Sequence, residues 1–294
     1  MNNKFVKDLF FLSVVLICLL IPGLVGAAGG WQWKFNLVSP DSKKPFQLLT
    51  SIYVETTSER FYVVDAGDSS LHSFQLDGKY LNTFKPGDAL LQPFEMVRES
   101  KAGQLWVVEK GRNSLTKIDL KNKSLTPVIL EFGGKTVYPD RISLDKEKLY
   151  VLNKNTGNII SYNFDLDGEK VYGSSGTGFI DFVVKNSGIW ALDAKLNKVF
   201  QFDKAGELKN EILLSGELSF PVALEVGPSG FIYIIDKHKG TIVVFDGNGK
   251  YKYNFLQKGH GNNDLYYPGD MVFDPMGRLC IVDTGNGRVG VFSR

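Results

Sequence analysis

The sequence is poor in the side chains that most often build metal and redox sites. Its three histidines, His72, His238 and His260, are far apart in the chain, and its two cysteines are Cys18 and Cys280. No His-Glu-x-x-His or paired-cysteine spacing occurs, and there is no phosphate-binding Gly-Lys loop or Gly-x-Ser-x-Gly turn. These absences remove the recognisable patterns for zinc, haem, nucleotide and serine-nucleophile chemistry.

Long apolar runs are also scarce, and the run near the start predicts a leader. It covers Leu9–Leu20, after two lysines and before the small residues Ala27 and Ala28. That order matches a secretory signal, and the run is shorter than the roughly 20 residues that span a bilayer. We therefore expect residues 1–28 to be a cleaved signal peptide. The protein is then periplasmic or extracellular, with no membrane span.

A large excess of one charge is absent too. The chain has 34 Lys and Arg residues against 32 Asp and Glu residues, so any electrostatic function must be local. Loss of the leader would also remove Cys18, which leaves Cys280 without a disulfide partner. The stability of the remaining chain must then come from packing.

What the sequence does contain is a long repeat. Six segments rich in β-branched and aromatic residues each end on a polar residue. These strand-end residues are Asp65, Glu109, Asn153, Asp193, Asp236 and Asp283, at spacings of 44, 44, 40, 43 and 47 residues. A period of this length is typical of propeller blades or solenoid repeats.

Each repeat predicts several short strands. The residues six positions after the strand-end residues are all apolar: Leu71, Leu115, Ile159, Val199, Ile242 and Val289. Turn sequences such as Asp77-Gly78 and Asn248-Gly249 come next, and a further short strand follows them. No segment has a sustained helical period, which excludes helical solenoids. Each repeat is therefore predicted to be a four-stranded antiparallel meander.

The sixth repeat lacks its fourth strand, because the chain stops two residues after Phe292. A candidate for that strand lies near the start, where Trp31, Trp33, Phe35 and Leu37 alternate with mostly polar neighbours. Such alternation is typical of a half-buried strand. The sequence therefore predicts that an N-terminal strand closes a ring of six repeats, which hides the sheet edges that an open array would expose.

The last repeat carries a family resemblance. The segment Tyr266–Phe292, with Tyr-Tyr-Pro-Gly-Asp at its start and Val-Asp-Thr-Gly-Asn-Gly-Arg-Val near its end, resembles a near-complete NHL repeat. The resemblance weakens where Glu109 and Asn153 replace the usual Asp and where Gly178 replaces the usual Pro. It implies an all-β, six-bladed β-propeller with four-stranded antiparallel blades.

The same resemblance sets the predicted domain boundaries. The propeller is expected to occupy residues 29–294, with a closing strand at about 31–38 and six repeats at about 46–294. In such a fold the first strand of each blade lines the central channel, so side chains from different blades converge where those strands begin. The channel is therefore the first place to look for a site.

Six residues are predicted to share one level of the channel: Ser51, Glu95, Arg141, Asp181, Ala223 and Asp270. Carboxylates that face one axis could bind a divalent cation, and gluconolactonase-like propellers, which resemble this chain, use acidic residues in this region for a metal. We expect instead a hydrated channel that Arg141 neutralises, with no cofactor. The alternative is a metal-dependent hydrolase or lyase in which Glu95, Asp181 and Asp270 hold the ion and Arg141 steadies an anionic substrate.

Two other features have structural interpretations. The strand-end residues recur in every repeat, so we expect their side chains to accept backbone N–H bonds in the turn that follows rather than to catalyse a reaction. Cys280 stands where other repeats have an aromatic residue, such as Tyr62 and Trp106. It is predicted to be an inert, buried thiol between blades.

The loops between the second and third strands are rich in basic residues. They carry Lys110, Arg112, Lys154, Lys195, Lys198, Lys237, Lys239 and Arg288, against the single acid Asp68. These loops are expected on the same face of the ring, which predicts a positive rim that attracts anionic partners. The alternative is that some of these residues are structural, as the basic residues Lys198 and Arg288 before the third strand indicate.

The leading functional hypothesis is a binding or scaffolding module that uses this basic face. NHL domains that resemble the chain mediate protein contacts, and some intracellular ones bind RNA. Export argues against nucleic acid and leaves an acidic protein or an anionic polysaccharide as the expected partner. The sequence shows no nucleophile, base and orienting group at a recognisable spacing, so binding is favoured over catalysis, and the metal-dependent enzyme stays the alternative.

Overall fold

The computed structural model of the protein describes residues 30–99, 103–174, 177–216 and 218–294. The predicted leader, residues 1–28, lies outside these ranges. Within them the regular structure is β-strand, apart from short 3₁₀ turns such as Gly87–Ala89 and Thr284–Asn286. No helix in the described ranges is long and apolar enough to cross a membrane.

The strands form six four-stranded antiparallel sheets, which we call blades 1–6. Strand β1 is Gln32–Leu37. Blade 1 consists of β2 Leu49–Glu55, β3 Arg60–Asp65, β4 Ser70–Gln75 and β5 Tyr80–Phe84. Blade 2 consists of β6 Pro93–Arg98, β7 Leu105–Glu109, β8 Ser114–Asp119 and β9 Ser124–Val128. A hairpin of β10 Leu130–Phe132 and β11 Lys135–Val137 precedes blade 3.

Blade 3 consists of β12 Pro139–Leu144, β13 Leu149–Asn153, β14 Ile159–Tyr162 and β15 Gly168–Tyr172. Blade 4 consists of β16 Phe179–Lys185, β17 Gly188–Asp193, β18 Lys198–Phe202 and β19 Leu208–Leu213. Blade 5 consists of β20 Pro221–Val226, β21 Ile232–Asp236, β22 Thr241–Phe245 and β23 Tyr251–Phe255. A short parallel pair, β24 Gln257–Lys258 and β25 Asp264–Leu265, precedes blade 6.

Blade 6 joins the two ends of the described chain. It consists of β26 Asp270–Phe273, β27 Leu279–Asp283, β28 Arg288–Ser293 and β1, in the order β1-β28-β27-β26. The first strands of neighbouring blades contact one another all round the ring, including β26 of blade 6 with β2 of blade 1. The predicted six-bladed propeller, with its ring closed by an N-terminal strand, is therefore confirmed.

The closing strand is held by its register and by aromatic packing. Trp33 pairs with Phe292 and Leu37 pairs with Val289, with a bulge between Trp33 and Phe35 that interrupts the predicted alternation. Trp31, just before the strand, is only 3% exposed. Its ring stacks on Phe255 of blade 5 at 5.0 Å between centroids. The segment thus completes blade 6 and also seals it against blade 5.

The apolar core lies between the blades rather than in the channel. Each cluster of buried side chains joins residues of two neighbouring blades, such as Phe61 and Phe74 of blade 1 with Val282 and Val289 of blade 6. Cys280 belongs to this cluster and is fully buried. Burial raises the pKa of its thiol well above the ordinary value, which keeps the thiol protonated and unreactive as the sequence predicts.

The strand-end residues anchor the connector that leads into their own blade. Asp65 accepts the backbone N–H groups of Gln47 and Leu48, each at 2.8 Å, and Asp236 accepts that of Ser219 at 2.7 Å. The predicted bonds to the following turn also occur, as between the N–H of Gly67 and Asp65 at 3.0 Å. The structural role was predictable from recurrence, but the connector as the main partner was not, because it lies 15–18 residues earlier in the chain.

The close approach of connector and turn explains the glycines of some turns. A Cβ added at Gly67 would lie 2.5 Å from the Cβ of Gln47, and one added at Gly285 would lie 2.5 Å from the carbonyl oxygen of Tyr266. Only glycine allows backbones to meet this closely. Each connector is thereby fixed beside the entrance to the channel.

Candidate functional site

The ring has two faces with different loops. The upper face, as we call it, carries the connectors into each blade and the loops between second and third strands. The lower face carries the loops between first and second strands and the turns between third and fourth strands. The first strands run from the upper to the lower face and line the central channel.

The structure brings the six predicted channel residues to one level. In blades 1–5 a bulge near the start of the first strand lets each residue pair with the one just before a strand-end residue, as Glu95 pairs with Val108 and Arg141 with Leu152. Asp270 pairs with Val282 in the same way. The alignment made from sequence therefore corresponds to the observed register.

Carboxylates occupy alternate blades of this ring. Each one accepts the backbone N–H of the first strand in the next blade. Glu95 accepts from Ile142 at 2.7 Å, Asp181 accepts from Leu224 at 2.7 Å, and Asp270 accepts from Ile52 at 2.9 Å. The three acids therefore join blade 2 to 3, blade 4 to 5 and blade 6 to 1, a structural role that spacing alone does not reveal.

Arg141 lies among these carboxylates without a close hydrogen bond to them. Its Nε is 3.6 Å from Asp181 Oδ1, and its Nη1 is 3.9 Å from Glu95 Oε1. Nη1 is buried and has no hydrogen-bond partner, while the guanidinium carbon lies 5.0 Å from the centre of the Phe94 ring. Burial acts to lower the pKa of Arg141, but the charges of Asp181, Glu95 and Asp270 have the larger combined effect, and the pKa is raised above its ordinary value. The guanidinium stays charged.

The carboxyl groups of the ring have raised pKa values. Burial, with smaller contributions from Asp270 and Asp181, raises the pKa of Glu95 to about 8, although Arg141 opposes the rise. Burial likewise raises the pKa of Asp181 to about 7 and raises that of Asp270. Three carboxylates against one guanidinium would leave an uncompensated buried charge, so the ring retains protons near neutral pH.

The three channel carboxylates do not all lie within 4.8 Å of one another. Among the described residues, the group of three His, Cys, Asp or Glu side chains close enough to share an ion is Asp65, Asp68 and His72, within 4.8 Å, and the three channel carboxylates do not form such a group. Their oxygens already accept backbone N–H groups, and the cation of Arg141 lies between Glu95 and Asp181. The metal site at Glu95, Asp181 and Asp270 stays an alternative prediction.

The cluster of Asp65, Asp68 and His72 was not anticipated from the sequence. His72 is buried in blade 1, and its ring nitrogens lie 2.8 Å from Ser70 Oγ and 2.8 Å from Thr83 Oγ1. Burial lowers the pKa of His72 despite the nearby Asp68 and Asp65. Asp68 also pairs with Lys85 at 2.9 Å. Because hydrogen bonds within the blade use these groups, the cluster is part of the blade structure.

Several of the predicted rim residues are tied into the fold. Five of the eight form ion pairs: Lys110 with Asp140, Arg112 with Glu109, Lys198 with Glu211, Lys239 with Asp236 and Arg288 with Asp283. The two arginines also donate to connector carbonyls, Arg112 to Asp88 and Ala89, each at 3.0 Å, and Arg288 to Gly261 at 2.5 Å and Asp264 at 3.0 Å. The positive charges of these five residues are therefore largely compensated by contacts within the protein.

The connectors also bring acids to the upper face that the loop composition did not count. Asp88 is exposed in the connector into blade 2, and Asp140 pairs with Lys110 at the start of blade 3. The rim is consequently less uniformly positive than the eight loop residues predict. The sequence does not show that these acids lie near the basic loop residues, because the two groups belong to different parts of each repeat.

The remaining three lysines lie on adjacent blades. Lys154 on blade 3 and Lys195 on blade 4 are exposed and form no ion pair within the described ranges, and Lys237 on blade 5 is half-buried. Burial, with the nearby charge of Arg141, lowers the pKa of Lys237. Two of the eight predicted rim residues are therefore exposed without an ion pair on blades 3 and 4, and the half-buried Lys237 follows on blade 5.

A groove and two exposed apolar side chains lie in the same sector. The groove has a volume of about 500 Å³ and is lined by Ala194, Asn197, Gly216, Leu218, Ser219 and Lys239. Leu196 of blade 4 and Phe220 of the connector into blade 5 are chain neighbours of the lining residues Asn197 and Ser219, and they are 48% and 47% exposed. The Phe220 ring stacks on His238 at 4.5 Å. We call this region the blade 4–5 groove.

Comparison with known proteins agrees with the repeat and the fold. The NHL repeat, as a sequence family, matches residues 265–292, which is the last repeat identified above. Among curated protein sequences, none matches the chain.

Solved structures similar to the chain include enzymes. A streptogramin B lyase has a TM-score of 0.63 at 13% identity, over 90% of this chain and 97% of that one. Virginiamycin B lyase from Staphylococcus aureus has a TM-score of 0.62 at 14% identity, over 90% and 99% of the two chains. A gluconolactonase from Xanthomonas campestris has a TM-score of 0.65 at 13% identity, over 92% of each chain. At these identities the similarity shows a shared fold.

Proposed function

Because the chain is a six-bladed β-propeller with an NHL repeat, we propose that it is an exported binding module that holds an acidic protein segment on the upper face of blades 3–5. The observation that carries the proposal is the blade 4–5 groove, which has Lys239 in its lining and the exposed Leu196 and Phe220 next to lining residues in the chain. The exposed Lys195 follows the lining residue Ala194 on blade 4, and the exposed Lys154 adds a second charge on blade 3.

The mixed character of the surface favours a protein over a polysaccharide. Exposed aromatic and aliphatic side chains beside a groove are typical anchors in protein interfaces. Phe220 and Leu196 offer such anchors, whereas a purely anionic polysaccharide would need only the lysines. The lysines add attraction at a distance and fix the polarity of the partner.

The exported location in this proposal is supported only by the predicted signal peptide at residues 1–28. We expect the protein recovered from the periplasm or the medium to have an intact mass that corresponds to a start near Ala28, because the apolar run Leu9–Leu20 is followed by the small residues Ala27 and Ala28, which suit signal peptidase. A recovered protein that retains Met1 would contradict the cleavage, and absence of the protein from both fractions would contradict export.

The binding surface can be tested by charge reversal. Lys154→Glu combined with Lys195→Glu should weaken binding to acidic peptides that contain Phe or Leu by at least about tenfold at low salt. Added salt should narrow the difference, since it screens exposed charges over about 8–10 Å. Fluorescence anisotropy with labelled peptides of varied composition measures both effects.

The matched control reverses two lysines on the lower face. Lys79 and Lys250 are exposed in turns between third and fourth strands, so Lys79→Glu with Lys250→Glu makes the same change in net charge. The control should bind like the wild type. Equal losses in both double variants would show a general charge effect and refute the assignment to blades 3–5.

A second substitution separates protein from polysaccharide. Phe220→Ser should weaken peptide binding and leave the binding of heparin, a model anionic polysaccharide, unchanged. The Phe220 side chain is half exposed, so its loss should have little effect on the free energy of unfolding. Tight heparin binding that depends on the lysines, without any peptide binding, would establish a polysaccharide-binding face instead.

A further inference from the structure

Cations lie above the ring of carboxyl groups, at the upper mouth of the channel. Below the ring the channel widens into a cavity of about 940 Å³, and among the described residues its lining includes the three ring carboxylates but not Arg141. The Arg141 guanidinium instead lies against Phe94, which precedes the ring position of blade 2, and the Lys110 ammonium group lies 4.2 Å from the centre of the same aromatic ring. Arg141 is therefore directed to the upper side of the ring.

Lys237 brings a second cation to this mouth from blade 5. It comes two positions after Ile235, which pairs with the ring residue Ala223. Its side chain is half-buried, and Arg141 is the neighbouring charge that acts on it. No ion pair joins Lys237 to an acid within the described ranges. Two positive charges, from Arg141 and Lys237, therefore face one mouth without an acid between them.

The guanidinium also has an unused donor. Arg141 is only 6% exposed, yet its Nη1 has no hydrogen-bond partner. The separations of 3.6 Å from Asp181 and 3.9 Å from Glu95 are longer than hydrogen bonds. Those two carboxyl groups accept backbone N–H groups of the next blades, and their raised pKa values leave them partly protonated near neutral pH. An acceptor that enters the mouth would satisfy a buried donor that the fold leaves without one.

We propose that the upper mouth of the channel binds one carboxylate group, which accepts hydrogen bonds from Arg141 and Lys237. The inference rests on the function proposed above, because the carboxylate belongs to an Asp or Glu of the acidic segment on blades 3–5. The Lys237 backbone N–H donates to the carbonyl oxygen of Phe220 at 2.9 Å. A segment anchored on Phe220 therefore lies beside the mouth.

A carboxylate fits these groups better than a cation does. A metal ion or an ammonium group offers no acceptor to Arg141 Nη1 and would add positive charge beside Lys237. The two oxygens of a carboxylate match the planar fork of a guanidinium, and such charge-assisted bonds are among the stronger ones in proteins. The Arg141 side chain is 7% exposed and makes no short bond to the ring carboxylates, so it can turn toward an entering group.

An asparagine scan of an acidic peptide tests the proposal. A labelled peptide with one Phe and four Asp residues is compared with four versions, in each of which one Asp is replaced by Asn. We expect one replacement to weaken binding at least about tenfold, because it removes charge-assisted hydrogen bonds. The other three should weaken it less than about threefold, because they remove only screened, exposed charges. Fluorescence anisotropy at pH 7 and low salt measures the affinities.

Four small and equal losses would overturn the inference. They would show that the lysines of the upper face act only by general attraction, and the function proposed for the blade 4–5 groove would stand. The scan therefore separates failure of the channel site from failure of the groove.

Two substitutions of one lysine each locate the site. In Lys237→Met the peptide should lose affinity at least about tenfold, and the dominant Asn replacement should cost no more than the other three. The matched control is Lys154→Met, which removes the same charge from an exposed position of blade 3. It should weaken all the peptides by the same factor and leave the dominant replacement dominant.

A third variant keeps the test valid if Lys237→Met does not fold, which its melting temperature shows. Arg141→Lys retains the charge but lacks the planar fork, so it should also reduce the effect of the dominant Asn replacement. If that effect is unchanged in both Lys237→Met and Arg141→Lys, the carboxylate binds elsewhere and the inference is wrong.

A free carboxylate tests the site without any peptide. Phenylacetate is compared with phenylacetamide, which has the same ring and no charge, by isothermal titration calorimetry. We expect phenylacetate to bind the wild type at least about tenfold more tightly than the amide, and the preference should disappear in Lys237→Met. Such a preference without binding of any acidic peptide would refute the proposed function and retain the anion site. Combined with four equal losses in the scan, it would assign the mouth to a free carboxylate instead of the segment. Phenylacetate that binds no more tightly than the amide would overturn the inference.

Discussion

Deletion of residues 31–38 is expected to remove most of the stability of the whole ring. The segment supplies the fourth strand of blade 6, and it buries Trp31 and Leu37, which are 3% and 0% exposed. Loss of a buried Trp costs about 3–5 kcal/mol and loss of a buried Leu about 2–5 kcal/mol. Their sum approaches the free energy of unfolding of a typical protein, about 5–15 kcal/mol.

Graded substitutions make this prediction measurable even if the deletion variant does not fold. Trp31→Ala alone should lower the free energy of unfolding by about 3–5 kcal/mol, because its ring packs on Phe255 and against Tyr233. Gln32→Ala, at an exposed position of the same strand, should change it by less than about 0.5 kcal/mol. Chemical denaturation measures both, and a stable deletion variant would show that the ring does not depend on this closure.

Replacement of Arg141 by Met is expected to destabilise the protein strongly at pH 8 and much less at pH 5. The substitution removes the guanidinium beside Asp181 and Glu95 and leaves their buried carboxyl groups without that cation. Breaking a buried ion pair in this way costs about 3–5 kcal/mol. At pH 5 the folded protein can hold these carboxyl groups in the protonated form, which does not need a cation.

The direction of the pH effect follows from the raised pKa values. Burial raises the pKa of Glu95 to about 8 and that of Asp181 to about 7, whereas the same groups in the unfolded chain ionise near pH 4. Between about pH 4 and pH 8 the folded state therefore binds more protons, and its stability decreases as the pH rises. Arg141→Met removes the group that limits this decrease, so its slope with pH should be steeper than that of the wild type.

Thermal unfolding at pH 5 and pH 8 measures the difference. Since 1 kcal/mol corresponds to about 2–4 °C in proteins of about this size, we expect Arg141→Met to melt roughly 10 °C below the wild type at pH 8. Arg141→Lys, which keeps the charge, should recover part of the loss. Arg60→Met, at an exposed position, controls for the substitution itself. An equal loss at both pH values would assign the role of Arg141 to packing on Phe94 rather than to charge.

The channel ring shows which features of the site can be predicted from the sequence and which cannot. The positions of Glu95, Arg141, Asp181 and Asp270 at one level follow from the repeat period, because residues at the same place in each repeat occupy the same place in each blade. Their distances and hydrogen bonds do not follow from it. The bonds from Glu95 to Ile142 and from Asp270 to Ile52 cross between blades, and neither the period nor the local pattern specifies which side chain faces which backbone.

The basic rim likewise shows that the sequence identifies surface residues but does not predict their contacts. The composition of the loops between second and third strands identified eight basic residues. It could not show that Arg112 and Arg288 are held by connector carbonyls, nor that Lys110 pairs with Asp140 of the next blade. These contacts join residues that are 23–30 positions apart. The groove beside Phe220 likewise arises only when blades 4 and 5 stand side by side.

The sequence by itself determined the number of blades, their four-stranded form and the closure of blade 6 by the N-terminal strand. It could do so because these features depend on local alternation, turn residues and a period that recurs six times in one chain. The tertiary structure alone decided which charges remain available to a partner, where a groove and a cavity form, and how far the channel carboxyl groups are shifted from their ordinary pKa values. Those properties depend on burial and on distances across blade boundaries, and such distances are set only when the ring has closed.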